Sequence, residues 1–186
     1  NLYGTVLVLL LAAGTGCIGT DHAGQLSPAD VASAGERPAP ALVAVLPMVN
    51  LSGVPAPLEE LRRGLMDRLR RAGYDLLAET ELTPFMERHR VRYTGGVDTG
   101  LARAFRDETD VTAVLISGLE LYSPDDPPKV AMFARLVATG ADATVAWINS
   151  VGISGDDHPG LLGLGLVHDI AELQETGLDR LMAPLT

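Results

Sequence analysis

The hydrophobic pattern divides the chain into three parts. Residues 6–13 ("VLVLLLAA") form an unbroken apolar run, too short for a typical membrane-spanning helix but of the length of a signal-peptide core. Residues 18–40 ("IGTDHAGQLSPADVASAGERPAP") are rich in Gly, Ala, Ser and Pro and show no apolar period, so they read as a linker. From residue 41 onward apolar positions recur with the periods of strands and helices, which predicts one folded domain over 41–186.

Within that domain, "ALVAVL" (41–46) is a short continuous apolar run rich in valine, as expected of a strand buried on both faces. Pro47 should end its pairing, and Asn50-Leu51-Ser52-Gly53 supplies turn chemistry. "PLEELRRGLMDRLRRAG" (57–73) predicts a helix. Leu58, Leu61, Leu65 and Leu69 share one face, Pro57 suits the first turn and Gly73 the C-terminal cap. Glu59 and Glu60 at its start, with Arg70 and Arg71 at its end, complement the helix dipole. "YDLLAE" (74–79) reads as a second strand. Thr83-Pro84 then opens a short helix carrying Phe85 and Met86, and a helix over 99–109 follows, with Asp98 as N-cap and Leu101 and Phe105 facing inward.

"VTAVLISGLELY" (111–122) is the most strand-like run and is expected at the centre of the sheet. "PDDPP" turns it into "KVAMFARLVATG" (129–140), and "GAD" turns again into "ATVAWINSVGIS" (143–154). Three strands joined by short polar turns predict an antiparallel meander, with Trp147 in the core. A last helix over about 170–183 uses Ile170, Leu173 and Leu181. The order β-α-β-α-α-β-β-β-α predicts an α/β fold: a mixed sheet with helices packed against it, ending in the meander.

Composition narrows the function. At 186 residues, 47% hydrophobic and 20% charged, the chain can bury a core of ordinary size. Its net charge of −10 disfavours nucleic acid as a partner, because phosphate binding needs a basic face. Eight Arg residues do fall between Arg62 and Arg92, but seven acids lie among them between Glu59 and Glu87, so the stretch reads as a solvated mixed-charge face.

The sole cysteine, Cys17, directly follows the apolar run through Gly14-Thr15-Gly16. One cysteine can form neither an internal disulfide nor a Cys-rich zinc site. "LAAGTGC" resembles a bacterial lipobox, with Gly14 where Leu is usual and a small Gly16 before the Cys. The resemblance implies cleavage of residues 1–16 as a signal peptide and lipidation of Cys17. No Lys or Arg occurs before Arg37, and the chain begins with Asn1, so a few residues are expected upstream. Several acyl chains would hold the protein on a membrane, each buried methylene contributing about 0.8 kcal/mol. Ile18 after the Cys, in place of Asp, implies by the lipoprotein sorting rule the outer membrane, facing the periplasm. Residues 17–40 then form a tether spanning roughly 25 Å as a coil and about 75 Å at full stretch.

A second resemblance runs over residues 41–154. "VAVLPMVNLSG" (43–53), a helix ending in "RRAGYDLLAE", "DVTAVLISGLELY" and a strand closing in "VATG" are similar to the superfamily that includes the curli-secretion lipoprotein CsgG and the amino-terminal domain of TolB. In that group the first motif marks the opening strand and turn, and a Thr-Gly turn, here Thr139-Gly140, joins two late strands. The resemblance implies a non-enzymatic envelope lipoprotein that self-associates or docks onto a secretion, polysaccharide-export or cell-wall machine. It implies no cofactor and no catalytic residue.

Two stretches could carry other chemistry. "SGDDHPG" (154–160) and "HD" (168–169) gather Ser154, Asp157, His158 and His168, and an alternative reading makes this Ser154–His168 cluster a hydrolase or metal-dependent site. Gly152-Ile153-Ser154-Gly155-Asp156 is not a nucleophile elbow, however, and His158, His168, Asp156 and Asp169 match no established zinc spacing; a turn is the simpler reading. A small-ligand site in the envelope is a third reading. His22 falls in the linker, and His89 at a basic helix end favours the dipole. "PGLLGLGLVHD" (159–169) has neither helical nor strand period. Leu161, Leu162, Leu164 and Leu166 there read as a core plug, as an apolar patch for a partner or a second subunit, or as a membrane contact.

Overall fold

The computed structural model describes residues 42–157 and 165–185. Strand β1 (Leu42–Val45) places Val43 and Val45 against one layer of helices and Ala44 and the following Leu46 against another, all buried. That is why the segment is apolar without alternation. After Pro47, pairing resumes where the sequence predicted only a turn: β2 (Val49–Asn50) lies parallel to β4 at Gly118–Leu119. Asn50 closes the turn beyond it, accepting from the Ser52 N–H at 3.1 Å and donating to the Val54 carbonyl at 2.7 Å.

Strands β3 (Asp75–Leu76), β4 (Ala113–Ser123), β5 (Lys129–Ala138) and β6 (Val145–Ser154) complete a sheet ordered β3-β1-β4-β5-β6, with β2 beside β4. β4 is central, as expected. It runs parallel to β1 and β2 and antiparallel to β5, which pairs antiparallel with β6 to make the meander. Thr139, buried at the end of β5, ties the two halves: its N–H donates to the Thr112 carbonyl at 3.0 Å and its hydroxyl to that of Val111.

Helices cover both faces. On one, Leu61, Leu65 and Leu69 of α1 (Leu58–Arg71) and Leu173, Leu178 and Leu181 of α4 (Ile170–Met182) pack on Val43, Leu115, Leu119 and Met132. On the other, Leu82 and Phe85 of α2 (Glu79–Arg88) and Phe105 of α3 (Thr99–Thr109) pack on Ala44, Leu46, Val114 and Ile116. Phe85 and Phe105 stack with centroids 4.0 Å apart. Each such fully buried side chain contributes about 1.5–3 kcal/mol of transfer free energy. Gly73 ends α1 at φ +89°, its N–H donating to the Arg70 carbonyl and that of Tyr74 to Leu69.

Several boundaries differ from the sequence reading. β3 has two residues rather than the six of 74–79, because Ala78 is already the N-cap of α2. α2 begins four residues before Thr83 and carries Pro84 in its interior; Glu79 and Glu81 favour the dipole of the earlier start, and burial of Leu82 and Phe85 holds the whole segment to the sheet. In α3, Asp98 caps as expected, accepting from the Leu101 N–H at 2.8 Å, but Ala102 and Phe105 are the buried pair and Leu101 flanks them. Trp147 is half-buried rather than core, since β6 is the edge of the sheet.

The mixed-charge stretch is also only partly solvated. Arg62 and Arg68 are 6% and 4% exposed, because both fall on the leucine stripe of α1. Arg68 spans two helices: its guanidinium meets Glu175 Oε2 at 2.9 Å and Asp179 Oδ1 at 2.7 Å on α4, and also donates to the Gly64 and Glu175 carbonyls.

Two outcomes follow in urea unfolding. A Cβ at Gly118 would collide with the Phe133 ring across the β4–β5 pair. Gly118→Val should therefore cost about 1–3 kcal/mol, and less in a Phe133→Leu background. Around Arg68 the carboxylates are exposed and rehydrate when unpaired, whereas the guanidinium cannot. Arg68→Met should cost less than the Glu175→Gln/Asp179→Asn pair, which strands a buried cation and should cost about 2–3 kcal/mol.

Candidate functional site

Polar residues gather at the end of the sheet where β5 starts and β6 finishes. Ser154 closes β6: its N–H donates to Asp157 Oδ2 at 2.8 Å and its hydroxyl donates to Asp156 Oδ1. His168 belongs to the neighbouring turn, with Nδ1 2.8 Å from Asp126 Oδ1, both side chains two-thirds exposed. Asp169 caps α4 by accepting from the Ala171 N–H at 2.9 Å. The structure thus brings Ser154, Asp156 and Asp157 into one turn and gives His168 a different carboxylate, so these side chains are engaged in turns and a cap. Among the described residues, no group of three or more metal-type ligands converges. His158 and Cys17 lie outside the described residues, as do Leu161, Leu162 and Leu164; Leu166 is 37% exposed, and Val167 beside it donates its N–H to the Gly155 carbonyl.

A second candidate is an open groove of about 460 Å³ lined by Pro47, α2 residues Glu79, Thr83, Met86 and Glu87, and Arg90, Val91 and Arg92 of the turn and loop that follow α2. It sits where β1 ends, the side of a parallel sheet at which ligands gather. Arg62 borders the adjoining hollow: its Nη2 donates to the Val45 carbonyl and to Glu79 Oε2, both at 2.7 Å, pinning α1 to the end of β1 and the start of α2. Arg63, Arg90 and Arg92 make no ion pair among the described residues, but Glu79 and Glu87 line the groove with them. Both signs of charge on a shallow shelf suit a polypeptide surface better than a phosphate or metal ion.

Large apolar side chains are also exposed: Leu51, Val54, Tyr93, Leu121, Val145 and Ile148. Leu121 and Ile148 lie on strands β4 and β6 of the meander, which extends sideways beyond the strands that α2 and α3 cover. Sequence reading missed this surface. Its signal was present in "VTAVLISGLELY" and "ATVAWINSVGIS", but no pattern shows which face of a strand lacks a helix.

No protein-family model matches the sequence, and no curated protein does. Solved structures match by shape. The fold is similar to that of lipoprotein GNA1162 from Neisseria meningitidis, at TM-score 0.53 and 21% identity over 67% of this chain and 90% of that one. This chain shares its fold with a bacterial lipoprotein. It is also similar to the LpoB C-terminal domain from Salmonella enterica, at 0.51 and 14% over 62% and 83%. The PelC dodecamer from Paraburkholderia phytofirmans matches at 0.53 and 15% over 81% and 91%.

Electrostatics at the α2–α3 junction give a pH dependence. Glu108 Oε2 accepts from Arg88 at 2.9 Å, and its Oε1 lies 2.6 Å from His89 Nε2. The Arg88 hydrogen bond, with help from His89, holds the Glu108 carboxyl below its ordinary 4.5; desolvation pulls the other way and loses. A carboxyl with a lowered folded value contributes stability above its unfolded value and loses it as pH falls through the folded one. Urea midpoints of the wild type should thus fall more steeply than those of Glu108→Gln between neutral pH and about pH 3.

Proposed function

We propose that this protein is a lipoprotein anchored through Cys17 to the outer membrane, facing the periplasm. Residues 18–40 serve as its tether. Its α/β body serves as a non-enzymatic assembly or regulatory module of a cell-envelope machine, in the manner of the CsgG and TolB amino-terminal group. The observation that carries the reading is the conjunction, in one chain, of the "LAAGTGC" motif with a body sharing the fold of lipoprotein GNA1162. Supporting it, the surfaces offered by the body are those of a binding protein: a shallow mixed-charge groove and exposed apolar strand residues, while Ser154 and His168 are tied to different carboxylates. A lipid anchor also fits the pattern of a long uniform linker before a compact body.

The test is metabolic labelling with radioactive palmitate. Label should appear in the wild-type chain in the membrane fraction and vanish in Cys17→Ser; equal labelling of both, or a chain wholly in the soluble fraction, overturns the anchor. The non-enzymatic role is tested by complementation. A chain carrying Ser154→Ala and His168→Ala should restore the envelope phenotype of a deletion as fully as the wild type, and failure to restore it in a chain that still folds would favour a hydrolase.

A further inference from the structure

The two edges of the sheet are built differently. At one, β3 has two residues, and the first is the charged Asp75. Short, charged edges are how soluble proteins prevent unwanted strand pairing. At the other, β6 runs for ten residues, "VAWINSVGIS", with no charged residue and no proline. Such a strand is about 33 Å long. Its inner side pairs with β5 from Val145 to Ser154. On its outer side, among the described residues, only the Ser154 N–H is occupied, by Asp157. Since the Gly155 N–H turns inward to the Pro128 carbonyl and the Ser154 N–H outward, alternation leaves Ile148, Ser150 and Gly152 presenting a backbone donor and acceptor outward. Val145 and Ile148 on this edge are 53% and 56% exposed, and Trp147 is half-buried. An edge left this long, neutral and apolar is a template for another strand.

We infer that β6 pairs with β6 of a second copy, antiparallel across a two-fold axis, extending one sheet through both chains. The inference names a partner for the assembly role proposed above and rests on that role, but not on the anchor. Two features favour a second copy over a foreign strand. The edge carries no charge with which to select a different protein, whereas an antiparallel two-fold makes any neutral edge complementary to itself. The packing also fits. Helix α4 packs on both β5 and β6. An antiparallel two-fold that continues the sheet by one step of about 4.8 Å keeps the second copy's α4 on the same face, beside the first. The second copy would thus add helix contact to strand pairing, and would cover the exposed Val145 and Ile148.

The experiment is sedimentation velocity on the chain from residue 17 onward carrying Cys17→Ser, so that neither lipid nor the apolar run of residues 6–13 can drive association, alongside the same chain with Ile148→Lys or Val145→Lys. Both added lysines replace exposed side chains, and unchanged thermal melting of the monomer would show that the fold is kept. The Cys17→Ser chain should sediment as a dimer, and each lysine variant as a monomer. Hydrogen exchange should show alternate β6 amides slowing with concentration in the former and not in the latter. A monomer at the highest soluble concentration, or association that survives both lysines with no protection in β6, overturns the inference; the second outcome would place self-contact elsewhere, and the first would leave the edge to a strand from another protein. Neither outcome bears on palmitate labelling, so pairing and anchoring fail separately.

Discussion

From Ala113 to Leu119 strand β4 must hide both of its faces and both of its edges at once, and the rest of the structure is arranged to meet that demand. Along one edge it pairs in parallel with β1 and then β2, along the other it pairs with β5 over its whole length. Ala113, Leu115 and Leu119 face α1 and α4 while Val114 and Ile116 face α2 and α3. A strand buried on two sides needs a helical layer on each. The parallel half obtains its layers from the crossover connections that parallel pairing already requires. The meander has no such connections, and among the described residues only α4 returns to cover one of its faces.

That asymmetry links architecture to the surfaces that remain. Where crossovers exist, the sheet is covered, and the covering helices are fastened by buried arginines: Arg62 joins α1 to Val45 and Glu79, and Arg68 joins α1 to α4. Where they do not, β6 has no strand on its outer side among the described residues, and Leu121 and Ile148 are exposed. Exposed apolar strand residues of this kind mark contact surfaces on proteins. The polar residues at the mouth of the meander close turns and cap α4.

Much of this was legible in the chain. The run "ALVAVL" announced a doubly buried strand, and the leucine spacing of 57–73 announced α1, because both depend only on local periodicity. Asp98 and Gly73 marked helix ends for the same local reason. Less was legible of the candidate sites. Ser154, Asp157 and His168 are close in sequence and chemically suggestive, yet His168 turns to Asp126, a residue of the β4–β5 connection. Arg62 and Arg68 looked solvated because charge was counted along the chain and not around the helix. Pro84 looked like a helix start because proline usually is one; the burial of Leu82 and Phe85 against a sheet not visible from that segment decided otherwise.

The sequence by itself determined the order of the main elements, the central place of the 111–122 segment, the meander and the helix ends at Gly73 and Asp98, since each rests on residues within a few positions of one another. Only the tertiary structure decided that Val49–Asn50 would pair again with β4, that two arginines would serve as interior fastenings, and that Trp147 would sit at an edge instead of a centre. The physical reason is the same in each case. Burial and hydrogen-bond partners at those positions come from elements tens of residues away, and a side chain's environment is set by what packs across from it, which no local pattern contains.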